Sequence, residues 1–259
     1  MAMNFNLENR VALVTGGSRG IGKAIALAFS KAKATVGIVG RDRLALQQTL
    51  KELKRSHIHA EAFVADLKKL DEIESMVRTA QSKLGSIDIL VNVAGIAVLE
   101  PAESVSEDSW EKVINTNLKG QFFCASRIGS EMIRRKKGVI INVSSEEGIV
   151  AVPGHVVYCI SKAGIIHMTK VLAVEWGKYG IRVNCIAPAA VNTQMNQNYW
   201  LKDKKAYKWV VDRIAMGRVS EVEDITGAAL YLASDLSSFV TGHTLVVDGG
   251  ISVGTPRKE

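Results

Sequence analysis

Tyr158-Cys-Ile-Ser-Lys162 sets a phenol and an ammonium four residues apart, which on a helix places both on one face. That pairing suits proton transfer. A tyrosine near its ordinary pKa of about 10 exchanges protons poorly at neutral pH. A cation about 4 Å away contributes roughly 4 kcal/mol at an effective dielectric near 20. The expectation is that Lys162 draws the phenol toward operating pH, where general acid–base catalysis works best. The spacing alone is common on surface helices and needs support from elsewhere in the chain.

A second cluster supplies it. Thr15-Gly-Gly-Ser-Arg-Gly-Ile-Gly22 is a G-x-x-x-G-x-G pattern that follows an apolar run and opens a helical one. Gly16 allows a tight turn, Gly20 admits a pyrophosphate close to the backbone, and Gly22 brings helix and strand together. The helix N-terminus then faces the anion. An NAD-preferring fold places an acid at the end of the second strand, about 20 residues on, to hold the ribose 2′-OH. This chain has Gly40-Arg41 there. A guanidinium forks onto a 2′-phosphate and stacks on adenine, and Arg19 in the loop reaches the same place. Both favour NADP(H). Asp42, one residue further on, is the competing ligand that keeps NAD(H) as the alternative.

These residues need a frame. Apolar runs at Val11–Thr15, Thr35–Val39, Ala60–Val64, Ile87–Asn92, Gly138–Val143, Arg182–Ala187 and Thr244–Val247 alternate with helical patterns. The helices are expected at Ile21–Lys33, Leu44–Arg55, Leu70–Lys83, Val156–Lys178 and Glu221–Ala233, with one long helix from about Glu107 to Arg134. Continuously apolar strands are buried on both faces. The fold class is therefore α/β: a single-domain Rossmann fold over 1–259 (core about 7–250), a doubly wound seven-stranded parallel sheet with helices on both faces. Residues 189–212 break the rhythm with Tyr199, Trp200, Tyr207 and Trp209 among Lys202, Lys204, Lys205 and Lys208. An insertion of this length reads as a lid; the plain alternative is a surface helix packed on the body.

Composition narrows the class further. With 47% hydrophobic and 23% charged residues, the chain is an ordinary globular one. Cys124, Cys159 and Cys185 are scattered without C-x-x-C spacing, which argues against a disulfide framework or a zinc site, and no metal-ligand spacing appears. The opening residues lack an apolar run and no segment is expected to reach about 18 apolar residues, so the expectation is a cytoplasmic protein with no membrane contact. The net charge of +7 favours polyanions in general. Its densest run, Arg134-Arg135-Lys136-Lys137, ends a helix, where cations offset the dipole, so no nucleic-acid partner is expected.

Taken together, the motifs resemble the short-chain dehydrogenase/reductase superfamily from about Leu7 to Gly250. They are the Thr15–Gly22 loop, Asp66 after the third strand, Asn92-Val-Ala-Gly95, Asn117 within Asn115-Thr-Asn-Leu-Lys-Gly120, Ser145, Tyr158, Lys162, and Pro188 with Thr193. Ser145 precedes Tyr158 by thirteen residues, the spacing of that superfamily. The resemblance implies a catalytic set of Asn117, Ser145, Tyr158 and Lys162. Tyr158 is the proton donor or base, Lys162 lowers its pKa and holds the nicotinamide ribose, Ser145 bonds the substrate oxygen, and Asn117 positions Lys162 through a water. It implies a cofactor groove of Gly16, Ser18, Arg19, Gly20, Ile21, Gly22, Arg41, Asp66, Leu67, Asn92, Ala94, Gly95, Tyr158, Lys162, Pro188, Val191 and Thr193. The cofactor supplies the hydride. The substrate neighbourhood includes Glu147, His155 and Met195. The implied assembly is a homotetramer acting on a small carbonyl or alcohol.

Two positions depart from the superfamily's habit: Val93 stands where Asn is frequent, and Ala189 where Gly follows Pro. The second is expected to restrict the root of the lid. Cys159 is expected to be a small buried side chain, and His57 and His59 to be solvated. Glu146 and Glu147 directly follow Ser145; a carboxylate there repels acidic substrates, whereas the lysines of residues 189–212 attract them. The leading reading is an NADP(H)-dependent oxidoreductase of the carbonyl reductase branch, with a 3-oxoacyl-[acyl-carrier-protein] reductase as runner-up. The chain after Gly95 reads Ile-Ala-Val-Leu-Glu100, unlike the carrier-protein reductases. A non-catalytic NADP(H) sensor is the alternative of another class, and an intact Tyr158 and Lys162 speak against it.

Overall fold

The computed structural model describes residues 5–55, 59–194, 196–197 and 203–254. Its strands are β1 (Val11–Thr15), β2 (Thr35–Gly40), β3 (Ala60–Val64), β4 (Ile89–Asn92), β5 (Gly138–Val143), β6 (Ile181–Pro188) and β7 (Thr244–Val247). Its α-helices are α1 (Gly20–Lys31), α2 (Arg43–Lys54), α3 (Leu70–Leu84), α4 (Glu107–Ile114), α5 (Gly120–Arg135), α6 (Val156–Trp176), α7 (Lys204–Val211) and α8 (Val222–Ala233). The seven strands form one sheet in the order β3-β2-β1-β4-β5-β6-β7, every pairing parallel. Strand β5 is buried along its whole length, as a sheet covered on both faces requires. One face is closed by α1, α2 and α8 through Ile25, Phe29, Leu46 and Leu232. On the other, α3, α5 and α6 pack through Ile73, Met76, Ile128 and Leu172. This is the expected doubly wound Rossmann arrangement.

The strand order reverses between β1 and β4, and ligands of such sheets bind in the crevice at that switch point. Thr15 pins the crevice: its Oγ1 accepts from the backbone N–H of Val93 at 3.1 Å and of Ala94 at 3.3 Å. A buried polar chain then crosses the sheet beneath it. Asn92 donates to Asn142 Oδ1 at 3.0 Å, and Asn142 donates to Thr169 Oγ1 at 2.9 Å. It ties β4 and β5 to α6, the helix that carries Tyr158 and Lys162.

Two expectations are corrected. The long helix from about Glu107 to Arg134 is two helices joined by a π-helical turn over Asn115–Lys119. A π turn adds one residue and shifts the apolar phase by about 100°, a break that the helical composition on either side does not reveal. Secondly, the helical segment Val156–Tyr179 is long and apolar enough to cross a membrane by length and composition, although no such segment was expected. Its inner residues Ile165 and Leu172 lie in the core, while Val171 and Val174 are exposed. Ala189 is unstrained at the root of residues 189–212. The described non-glycine residues with positive φ are Asn9, Lys33 and Lys136, so alanine adopts its native geometry unstrained.

Within residues 189–212, Asp203 caps α7 by accepting from the N–H of Lys205 and Ala206. None of the α7 residues is buried, and the Arg213 guanidinium lies 4.5 Å from the Trp209 ring centroid. Met195, Tyr199, Trp200 and Lys202 of that stretch, and His57, lie outside the described residues.

Candidate active site

The crevice is shaped first by glycine. Gly16 has φ +67, and a Cβ there would stand 3.0 Å from the Ala94 backbone; a Cβ on Gly22 would be 2.3 Å from the Gly16 carbonyl oxygen. A side chain would be strained at the first place and would collide with backbone at the second. Helix α1 starts at Gly20 with no side-chain cap and no acid in its first turn. Its first N–H groups and positive dipole end therefore face the crevice. Ile21 packs down onto the core. Across the mouth stands Thr193, whose Cγ2 is 3.2 Å from where a Gly20 Cβ would lie. Behind it, Pro188 ends β6 and Val191 is buried.

At the adenosine end, Arg41 emerges exposed from β2, and Ser18 Oγ sits beside Gly40. Arg19 is ion-paired to Asp42 Oδ2. Asp42 also caps α2, its Oδ1 accepting from the N–H of Leu44 at 3.0 Å and Ala45 at 3.1 Å. The Ala45 hydrogen bond leads the influences that hold this carboxyl below its ordinary range, and Arg19 adds to it. Both oxygens of the competing ribose ligand are thus engaged. Asp66 Oδ1 accepts from the Lys68 N–H at 3.1 Å, and Leu67 beside it is buried. Asn92 differs from its expected role: its side chain is fully buried and bonded to Asn142 and the Gln121 carbonyl, so it props up the groove from beneath.

The catalytic end is set by the π turn and by α6. The turn carries Asn117 inward, where its Oδ1 accepts from the Ile96 N–H at 2.8 Å and its Nδ2 donates to the Ile96 carbonyl at 2.8 Å and Ser161 Oγ at 3.1 Å. This two-sided grip fixes the segment after Gly95. A Cβ on Gly95 would lie 3.3 Å from Asn117 Oδ1 and 3.6 Å from Lys162 Nζ, so these three residues meet at one point. Lys162 is 4% exposed and donates to the Val143 carbonyl at 3.0 Å. Burial pushes its pKa down to about 8.

Tyr158 corrects the sequence-based electrostatics. The Lys162 ammonium is 5.4 Å from the phenol ring centroid and is directed at a backbone carbonyl rather than at the hydroxyl. Burial raises the phenol pKa, with the Glu147 and Glu146 carboxylates adding to the rise and the Ser145 hydroxyl opposing it. In the protein alone, Tyr158 is a protonated phenol, which is the form of a proton donor. Ser145 Oγ donates to Glu146 Oε2 at 2.6 Å and accepts from the Glu147 N–H at 3.2 Å. Burial pushes the Glu146 carboxyl up to about 7. Glu147 Oε2 lies 2.7 Å from His155 Nδ1 and 3.7 Å from Cys159 Sγ. Cys159 is accordingly half-buried and in polar contact, where a small buried side chain was expected.

Ser145, Tyr158, Lys162 and Asn117 thus gather at the carboxyl ends of β4 and β5, and Glu147 and His155 join them. Sequence reasoning passed over Ser161, which holds Asn117, and Gly148. A Cβ on Gly148 would stand 2.8 Å from the Lys162 carbonyl carbon, so only glycine lets the turn after Ser145 press against α6. The signal for Gly148 was its place three residues after Ser145. For Ser161 there was none, because its partner comes from a distant helix.

The crevice fits a nicotinamide dinucleotide: two glycines where a side chain would be strained or collide, an uncapped helix end for the pyrophosphate, and a buried lysine at the far end. Known proteins agree. Residues 16–252 match a family model described as enoyl-(acyl carrier protein) reductase. An NAD-dependent glycerol dehydrogenase of Listeria innocua is 38% identical over 256 residues, covering 96% of each chain. A 3-oxoacyl-[acyl-carrier-protein] reductase of Chlamydia trachomatis is 41% identical over 249 residues, 95% of this chain and 98% of its own. The crystal structure of a gluconate 5-dehydrogenase from Burkholderia cenocepacia, in complex with NADP and tartrate, superposes with a TM-score of 0.92 at 33% identity, over 97% of this chain and 98% of its own. On these matches and this crevice, the chain is an oxidoreductase belonging to the short-chain dehydrogenase/reductase family.

Proposed function

We propose that the protein is an NADP(H)-dependent enzyme that interconverts a ketone or aldehyde with its alcohol. The observation that carries this reading is the convergence of Ser145, Tyr158 and Lys162 at one end of the crevice, with Arg19 and Arg41 at the other. The dinucleotide would supply or accept the hydride. Tyr158 gives its proton to the carbonyl oxygen during reduction, and Ser145 steadies that oxygen as charge develops. Lys162 holds the ribose hydroxyls from beneath, and Asn117 keeps the Ile96 segment clear of the ring. Arg41, with Arg19, takes the 2′-phosphate. Residues 189–212 serve as the lid over the substrate, with Glu147 and His155 at its edge.

A 3-oxoacyl-[acyl-carrier-protein] reductase is the second reading, favoured by the 41% identity to such an enzyme and by a pI of about 9.3, which suits an acidic carrier. A cytoplasmic homotetramer is the assembly proposed, supported by exposed apolar side chains at Val171 and Val174 on α6 and Phe239 near β7. Calorimetric titration with NADPH and NADH tests the cofactor. NADPH is expected to bind more tightly, and Arg41→Ala to weaken it about tenfold, near 1.4 kcal/mol, while leaving NADH unchanged. Equal or better NADH binding by the wild type would pass the ribose to Asp42 and overturn the NADP assignment.

A further inference from the structure

We infer that Glu146 is a positioning residue for the reaction proposed above, its protonation deciding whether the Ser145 hydroxyl is free to donate to the substrate oxygen. The inference rests on that reading of the reaction. A serine hydroxyl carries one proton and a carboxylate only accepts. With Glu146 ionised, that proton is committed to Glu146 Oε2, 2.6 Å away, while the Ser145 oxygen accepts from the Glu147 N–H at 3.2 Å. A carbonyl substrate offers lone pairs alone, so Ser145 held this way has nothing to give it. Protonated Glu146 reverses the arrangement: its own O–H donates to Ser145 Oγ, and the serine proton turns toward the substrate.

Both forms are within reach near neutral pH. Glu146 is 7% exposed, and burial, with Glu147 adding, brings its carboxyl to about 7 against the opposing Ser145 hydrogen bond. The ionisable groups that bear on it are Glu147 on its own turn and Tyr158 and Lys162 on α6; His155, just before α6, and Cys159 on it meet Glu147 instead. From β6, Cys185 bears on Lys162 rather than on Glu146, and burial pushes its thiol to about 12. His155 is engaged with Glu147 and Lys162 with the Val143 carbonyl, so neither cation is hydrogen-bonded to Glu146. The Glu146 charge also stiffens the phenol of Tyr158 against ionisation. One group therefore bears on both hydroxyls that meet the substrate.

The test is the pH dependence of kcat/KM for carbonyl reduction in the wild type and in Glu146→Gln, whose amide keeps the shape and cannot ionise. The wild type is expected to lose activity tenfold per pH unit above about 7. In Glu146→Gln that limb disappears, with NADPH affinity within about twofold. A limb that persists unmoved in the variant overturns the proposal. Should Glu146→Gln not fold, Glu146→Asp is expected to displace the midpoint, and an unmoved midpoint is equally fatal. A second readout needs no substrate: the ultraviolet tyrosinate signal of the wild type less that of Tyr158→Phe. Its midpoint is expected to fall in Glu146→Gln; an unchanged one removes the coupling. Failure of the wild type to reduce any carbonyl would instead sink the parent reading, and the tyrosinate titration would still judge this one.

Discussion

The two ends of the crevice follow opposite electrostatic plans. At the adenosine end the charges are basic and solvated: Arg41 stands exposed, and the Arg19 side chain is 65% exposed beside a 43% exposed Asp42. At the catalytic end they are of both signs and enclosed, with Glu146 and Lys162 both under a tenth exposed. Water screens the first set, so each charge there acts weakly and through sums. The second set sits where the dielectric is low, so single protons decide what each group does. In the proposed function, recognition falls to groups whose charge is constant, and chemistry to groups whose charge changes.

Perturbations of the enclosed end should therefore be the larger. Tyr158→Phe removes the proposed proton donor and is expected to cut turnover about a thousandfold with dinucleotide affinity kept; a mutant within tenfold of wild type would move the donor elsewhere. Glu146→Gln should raise stability at pH 8 but not at pH 4. The folded carboxyl titrates near 7, above its unfolded value of 4.5, so the folded state takes up a proton that the unfolded state has lost. Stability is then lost as pH rises through that window, by about 3 kcal/mol, and an amide escapes the loss. Urea midpoints at the two pH values check the sign.

Asn117→Ala should cost about 1 kcal/mol by leaving the half-buried Ile96 N–H and carbonyl without their partner, read in the same melts, with a larger fall in kcat than in NADPH affinity. At the solvated end the expected effect is smallest. Asp42→Asn keeps the α2 cap, frees Arg19 and should tighten NADPH about threefold at low salt, the gain fading at high salt. A gain that survives high salt would contradict the screened picture.

The sheet was legible because its strands are unbroken apolar runs: Val11–Thr15, Gly138–Val143 and Thr244–Val247 appear with the bounds read from sequence. The glycine loop and the tyrosine–lysine pair were legible because each is local, a spacing along one segment. What escaped was whatever depends on direction. The 4 Å assumed between cation and phenol followed from helical spacing, yet Lys162 points to the Val143 carbonyl on a neighbouring strand. Glu146 stood in plain view after Ser145, but its burial comes from α6 packing over the turn, which no short window contains.

The π turn at Asn115–Lys119 sets a rule about length. It stores one residue beyond what a continuous α-helical path would need, and one residue is about 100° of helical rotation. A single deletion there would leave a straight, well-bonded helix while swinging Asn117 away from Ile96. Substitutions can be compensated by neighbours, but a lost residue in this rod cannot be, because no side chain restores a rotation. Among one-residue gaps in the α4–α5 rod, this is the place where the helix would survive and the site would not.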